Sequence, residues 1–397
     1  MSLPPFSQRF EHECVYGSAI APELFKSAIA FILDEGRYEP NYFLGQTVSH
    51  QWQTQKPHSY GALGVFIQEL GEPWQAKPEL PRFDQAKNKP IKYEAIKGNG
   101  SRAFLPAIPL KTWKRISQKH QIPLEAPWQE VLASQKTATR QASEENLSID
   151  GSDFNSTLES SDLIRSNSQD ALPATFKGFA PNSKINIRFS ALRSLSELKG
   201  LSSEELKSAL ESAPDWLKVP DFWKFIEAHP EIPIIPTEGG KKSLCLLSHG
   251  YVAIALYGVR GGVLENETIG GEKVRRLKPE LIPDLKRFAV PGRKITLAFD
   301  QDLKPKTVLE VNRALSRLGW VLQTAGCQVA VAEWDSSQGK GIDDLIVNQG
   351  AGAWEKALSE AVSFAQWAVS RQLAHEVRRK PDLNIGDREF VEVAAEL

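Results

Sequence analysis

Ile295-Thr296-Leu297-Ala298-Phe299-Asp300-Gln301-Asp302 is the stretch on which the fold turns. Its first five residues form a short unbroken run without charge, the pattern of a strand buried on both faces of a parallel sheet. Two carboxylates follow at once. In an open α/β sheet the C-terminal ends of the strands face the crevice in which ligands sit. Asp300 and Asp302, two residues apart, can leave such a strand toward one side of that crevice. An Asp in this position also opens ordinary turns, the plainer reading of the pair.

Two other stretches repeat the arrangement. Ile232-Pro233-Ile234-Ile235-Pro236 leads into Thr237-Glu238-Gly239-Gly240-Lys241-Lys242. Gln328-Val329-Ala330-Val331-Ala332 is followed by Gly339-Lys340-Gly341-Ile342-Asp343-Asp344. Each has a bland reading: Glu238 suits the positive end of a helix dipole, and Asp343 suits a helix cap. The glycines at 239 and 240 let a ligand approach the backbone closely, and Lys241 and Lys242 add charge suited to phosphate. Five carboxylates gathered at one sheet edge repel one another unless a cation holds them. Oxygen ligands of this kind suit a hard ion, Mg²⁺ first.

Around this centre the chain alternates. Strand 232–236, helix 240–249, strand 252–257, a basic and less regular stretch, strand 295–299, helix 306–325 and strand 328–333 predict a parallel sheet covered by helices on both faces. A short helix starts at 342, and an amphipathic helix is expected over 353–376. Upstream, residues 1–133 mix helix and strand signals: a helix from Pro22 to Leu33, a strand over Tyr60–Ile67, and a basic loop with Arg82, Lys87 and Lys89. Residues 134–175 are rich in Ser, Thr, Asn, Asp and Gln and bury too little apolar area to offset ordering entropy, so they read as a mobile linker or insertion. Residues 176–230 read as a helical connector, 231–350 as the α/β domain, and 351–397 as a C-terminal helix and tail.

The chain has 397 residues, enough for two or three domains, with 48 Lys and Arg against 49 Asp and Glu. Total charge therefore points to no polyanionic partner, and any such sign must be local. Cys14, Cys245 and Cys327 are few and scattered, which fits a reducing, cytoplasmic setting and excludes a cysteine-rich zinc ribbon within this chain. The seven histidines show no metal-ligand spacing, so no zinc is expected. The N-terminal residues lack the basic flank and apolar core of a signal peptide. No apolar run approaches the roughly 20 residues that cross a bilayer. Local charge appears at 272–294, where Lys273, Arg275, Arg276, Lys278, Lys286, Arg287, Arg293 and Lys294 outnumber Glu272, Glu280 and Asp284. Such a patch suits a polyanion, although a solvated helix face has the same composition. Trp52, Trp74, Trp113 and Trp128 are able to stack bases but more commonly belong to a core.

Taken together, a Glu after one strand, Asp-x-Asp after a second and Gly-Lys-x-x-Asp-Asp after a third resemble the TOPRIM domain. That is the metal-binding fold of bacterial-type primases, type IA and II topoisomerases and some nucleases. The resemblance covers about 231–350. Ile235-Pro236-Thr237-Glu238-Gly239-Gly240-Lys241-Lys242, Gly258-Val259-Arg260-Gly261-Gly262 and Gly339-Lys340-Gly341-Ile342-Asp343-Asp344-Leu345-Ile346 are similar to a narrower family. It is a TOPRIM-like domain of formerly unknown function at the N-terminus of plasmid and phage replication proteins that resemble primase–helicases. Lys92-Tyr93-Glu94 and Arg102-Ala103-Phe104-Leu105-Pro106 also look like that family.

The resemblance implies a DNA-dependent primase that joins nucleotides on a single-stranded template, with RNA or DNA as product. It implies Mg²⁺ or Mn²⁺ on Asp300 and Asp302, with Asp343 and Asp344 assisting a second ion and Glu238 as ligand or general base. Lys241, Lys242, Arg260 and Lys340 would neutralise triphosphate charge. Lys92 and Arg102 would reach template or nucleotide from the accessory domain, and Arg275 and Arg276 would contact nucleic acid. A helicase motor often follows in such proteins. No Gly-x-x-x-x-Gly-Lys-Ser/Thr loop occurs in this sequence, so a helicase or ATPase is expected in a longer form of the chain or in a partner. The tail Pro381–Arg388 resembles the lead-in to that motor. The same carboxylates would also serve a TOPRIM nuclease. A non-catalytic initiator module would bind DNA without turnover. A topoisomerase needs a nucleophilic Tyr, and no Tyr here has such a context.

Overall fold

A computed structural model of the chain describes residues 3–33, 39–44, 58–69, 71–85, 88–96, 99–122 and 222–379, with side chains to 372. The linker over 134–175, most of the connector, Trp52, Trp128, Lys87 and the tail at 381–388 lie outside the described residues.

The N-terminal part opens with α1 (Phe6–Val15) and α2 (Pro22–Ala28). The expected helix from Pro22 to Leu33 is cut short: Ile29–Ile32 is strand β1. Ile29, Ala30, Phe31 and Ile32 pair antiparallel with Phe66, Val65, Gly64 and Leu63, and this pairing outweighs the local helical pattern. After α3 (Glu39–Phe43) come β2 (Leu63–Ile67), β3 (Pro73–Pro78), the two-residue strands β4 (Phe83–Asp84), β5 (Lys89–Pro90) and β6 (Glu94–Ala95), and α4 (Leu110–His120). The order β1-β2-β3-β6 makes an antiparallel sheet, and β4 with β5 forms a small hairpin. Aromatic rings fill the space beneath. Phe66 meets Phe10, Trp74 and Phe104 edge to face, with centroids 6.2, 6.3 and 5.6 Å apart. Trp74 is buried in this core, and Trp113 is buried against Phe222 and Phe225.

The second part holds α5 (Phe222–Ala228), β7 (Ile234–Glu238), α6 (Gly240–Ser248), β8 (Val252–Leu256), the hairpin β9 (Val263–Ile269) and β10 (Glu272–Leu281), and α7 (Pro283–Lys286). Then follow β11 (Lys294–Leu297), α8 (Pro305–Thr324), β12 (Gln328–Val331), α9 (Ile342–Gln349), α10 (Ala351–Ser359), β13 (Val362–Ser363) and α11 (Phe364–Arg379). The sheet order is β13-β12-β11-β7-β8. The first four strands in sequence are mutually parallel, as the alternation requires, and β13 runs antiparallel at the edge.

Two expectations change here. The single helix over 353–376 is broken, because Val362 and Ser363 leave it to pair with Val331 and Ala330 on the exposed edge of β12. Phe364 then packs so closely on α8 that a β-carbon at Gly319 would lie 2.2 Å from its ring. The basic stretch after β8 is largely strand, with a register shift between Arg275 and Glu280 and the short helix α7 after it. It is mostly the β9–β10 ribbon, turning at Gly270 and Gly271 with φ of +61° and +87°.

The two parts belong to one compact unit. The Phe104 N–H donates to the Ala255 carbonyl at 2.8 Å, extending the parallel sheet beyond β8. The Trp223 indole donates to the Pro106 carbonyl at 2.9 Å. Arg293, fully buried, donates to the carbonyls of Ile226, Glu227 and Ile232 and ties α5 to the start of β11. Among the described residues no helix is long and apolar enough to cross a membrane.

Candidate functional site

The chain lays down β7, places β8 on one side of it, and then returns to place β11 on the other. The C-terminal ends of β7 and β11 therefore flank a topological switch point, where open α/β sheets leave a crevice. Thr237 bridges Ala298 in parallel, so Glu238 and Asp300 emerge from neighbouring strands at nearly the same level. The third motif reaches the same place by a loop: the Gln301 N–H donates to the Lys340 carbonyl at 2.9 Å.

Glu238 and Asp300 form the inner wall. Burial pushes the Glu238 carboxyl above its ordinary range, and the charge of Asp300 adds to the effect. Burial likewise raises Asp300, against the opposing pull of Lys242. Lys242 Nζ lies 3.0 Å from Asp300 Oδ1. Burial works against the charge of Lys242, yet Asp300 and Asp343 hold its pKa above the ordinary value.

Asp302 and Lys340 form the rim. Lys340 Nζ donates to Asp302 Oδ2 at 2.6 Å, and the Lys304 N–H donates to Asp302 Oδ1 at 2.9 Å. These bonds, the lysine's first, hold the Asp302 carboxyl below its usual range. The same bond raises Lys340.

Asp343 and Asp344 divide in role. Asp343 is buried, and its Oδ2 accepts from the Ser18 hydroxyl at 2.9 Å. Asp344 is exposed and caps the start of α9, its Oδ2 accepting from the Gly341 N–H at 3.1 Å. Among the described residues no three Asp, Glu, His or Cys side chains stand as a metal cluster. The donor chemistry nonetheless fits a hard ion: Mg²⁺ keeps several waters and is commonly held by one or two carboxylates together with substrate phosphates. Glu238 and Asp300 are such a pair.

The other expected residues lie further out. Lys241 Nζ is 3.0 Å from Glu13 Oε1, and Glu13 also pairs with Lys77. Arg260 pairs with Glu310 on α8. Arg102 clasps Glu72 and Asp284 where the two parts meet. Lys92 is exposed. The basic patch splits: Arg293 is in the core, Arg287 pairs with Glu227 at 2.7 Å, and Arg276 pairs with Glu280 at 3.0 Å. Lys273, Arg275 and Lys278 stay exposed on the ribbon.

Two features escaped the motif reading. The space above Gly240 is occupied by protein and not left for a ligand: a β-carbon there would lie 2.6 Å from the Phe66 ring. Gly239, at φ +87°, is where the backbone itself requires glycine. Ser18, from the turn between α1 and α2, is 325 residues from its partner Asp343, and no local pattern marks it.

Residues 222–353 match a family described as a domain of unknown function (DUF3854), and this span contains Glu238, Asp300, Asp302, Lys340, Asp343 and Asp344. Over 167 residues the chain is 40% identical to an uncharacterized protein of Picosynechococcus sp.. That alignment covers 42% of this chain and 16% of the relative's own length. The crystal structure of the zinc-binding and RNA polymerase domains of the Aquifex aeolicus primase overlaps 38% of this chain and 32% of its own, at 17% identity and a TM-score of 0.25.

Proposed function

We propose that this crevice is the nucleotidyl-transfer site of a TOPRIM-type DNA primase, serving plasmid or phage replication in the cytoplasm. The observation that carries the reading is the juxtaposition of Glu238 and Asp300. Two half-buried carboxylates stand side by side, the charge of Asp300 raising Glu238, with Lys242 and Lys340 close to them. A fold that keeps such a pair at a sheet switch point gains from a cation and a polyanion that settle there together.

Glu238, Asp300 and Asp302 would hold Mg²⁺ or Mn²⁺, which supplies Lewis-acid activation of a hydroxyl and neutralises charge on a departing pyrophosphate. Lys340, exposed at the rim, is placed to release Asp302 and turn to a triphosphate. Lys242 stays charged inside and offsets negative charge close to Asp300. Lys241 and Arg260 reach phosphate only by leaving Glu13 and Glu310. Lys92, Arg275 and the neighbouring ribbon cations would track the single-stranded template through its phosphates. A helicase or ATPase would act with the chain, from a longer form of it or from a partner.

The test is primer-free synthesis on single-stranded templates with labelled nucleotides and Mg²⁺ or Mn²⁺, beside an Asp300→Ala/Asp302→Ala control. New oligonucleotides from the unaltered chain alone are the expected result. Template loss without synthesis would replace the primase with a nuclease that uses the same carboxylates. Salt-sensitive DNA binding without either reaction would leave a binding module.

A further inference from the structure

Lys242 is the least conspicuous of the charged groups in the crevice and the most tightly placed. Its Nζ is 3.0 Å from Asp300 Oδ1. Its stem passes over Gly341, where an added β-carbon would lie 2.6 Å from Lys242 Cε and also 2.6 Å from Asp343 Oδ1. The two side chains thus converge on one glycine from different elements, α6 and α9. Asp343 is held in turn by the Ser18 hydroxyl at 2.9 Å. Two pairs result, the buried Ser18–Asp343 and the half-buried Lys242–Asp300, and they meet over Gly341 on the way from the N-terminal part to the carboxylate pair.

The remaining carboxylates are engaged elsewhere. Asp344 caps α9, and both oxygens of Asp302 accept hydrogen bonds from the lysine-bearing loops. The Glu238 carboxylate alone of the five makes no hydrogen bond or ion pair among the described residues, although its backbone pairs with Leu256. Two divalent ions in one site sit about 4 Å apart and share carboxylates. Here the Lys242 ammonium, paired with Asp300 and within the electrostatic reach of Asp343, is already a fixed positive charge that repels a second ion brought close.

We infer that the crevice takes one divalent ion, on the Glu238 side of Asp300, and that the Lys242 ammonium stands in the place of a second. Asp343 is then a positioning residue for Lys242, fixed by Ser18, and not a metal ligand. Gly341 is required because any side chain would displace both. The inference rests on the metal reading of the crevice given above and not on the reaction assigned to it.

The experiment counts Mn²⁺ ions bound per chain, by the loss of the free-ion spectroscopic signal during titration of the whole protein. The unaltered chain is expected to bind one ion. Lys242→Met is expected to bind two, because Asp300 and Asp343 are then free to share the second. Asp343→Asn and Ser18→Ala are expected to keep one ion. Should Lys242→Met fail to fold, Asp343→Asn decides the matter. Two ions on the unaltered chain, falling to one in Asp343→Asn, would overturn the inference. No bound ion would overturn it together with the metal reading. One ion on a chain that makes no primers would remove the primase and uphold the ion count.

Discussion

The inner wall and the rim of the crevice hold the same ingredients, carboxylates and lysines, and behave in opposite ways. Inside, burial raises Glu238 and Asp300 despite Lys242 at 3.0 Å. At the rim, Lys340 and the Lys304 N–H hold Asp302 down. The difference is depth and hydrogen bonding. The wall carboxylates lie deep in protein and one lysine does not restore their hydration, whereas Asp302, with a side chain only 11% exposed, sits beneath Lys340 at the mouth and is held by two hydrogen bonds. The wall is therefore the part left short of positive charge, and the rim is a closed ion pair that a ligand must open.

Replacing a wall residue should therefore cost far more than replacing its rim counterpart. Asp300→Ala is expected to lower primer synthesis by about 10²-fold or more, the scale seen when one preorganised charge-stabilising group is removed. Asp302→Ala should cost less, because its partner Lys340 can still reach a phosphate. Steady-state synthesis rates with circular dichroism of both variants measure this. Equal losses would erase the distinction between wall and rim.

Protons offer the next test. Glu238 and Asp300 have ordinary values of 4.5 and 3.8, both raised in the fold. Between the ordinary and the raised values the folded chain binds more protons than the unfolded one, so stability from these two groups falls as pH rises through that window. Asp302 has the opposite sign: its contribution is present above 3.8 and is lost as pH falls through its lowered value. A bound cation removes the penalty of the wall alone. Mg²⁺ should therefore raise Tm at about pH 7 and have little effect at about pH 4, where the carboxyls carry protons. An equal rise at both would place the ion elsewhere.

The wall and the sheet beneath it were largely legible in the chain. Short apolar runs ending in carboxylates marked β7, β11 and β12 and the crevice beyond them, because a strand buried on both faces leaves little freedom of composition. The rest depended on contacts that no local pattern carries. Ile29–Ile32 and Val362–Ser363 became strands only because β2 and β12 offered partners. Gly240 is kept small by Phe66, and Asp343 is turned by Ser18, each from the other part of the chain. Composition also misjudged the basic patch. Arg293 counts as a surface charge in sequence but serves as a buried clasp on three carbonyls.

The β9–β10 ribbon carries positive charge without the wall's carboxylates and sharpens the contrast further. Lys273 and Arg275 oppose Thr268 and Asn266, which places both on one face of the ribbon. Lys273→Ala/Arg275→Ala should weaken single-stranded DNA binding uniformly across sequences and lower the salt slope by about 1.4, from ~0.7 per phosphate contact. Metal binding should be unchanged. Fluorescence anisotropy across a salt series reads both slopes, and an unchanged slope would remove the ribbon from the interface.

The smallest effect expected is at Asp344, and it separates capping from metal binding. Its carboxylate is exposed and accepts from the Gly341 N–H, a one-way cap on a helix of 8 residues. Removing such a cap costs about 1 kcal/mol. Asp344→Ala should therefore lower Tm by about 2 °C while leaving the number of bound Mn²⁺ ions as it was. Asn at the same position keeps an acceptor for the Gly341 N–H and should restore most of the lost stability. A ligand would behave differently, since neither Ala nor Asn supplies the charge that holds a divalent ion. Loss of an ion in both variants, with Tm spared in the Asn form, would move Asp344 from the cap into the wall.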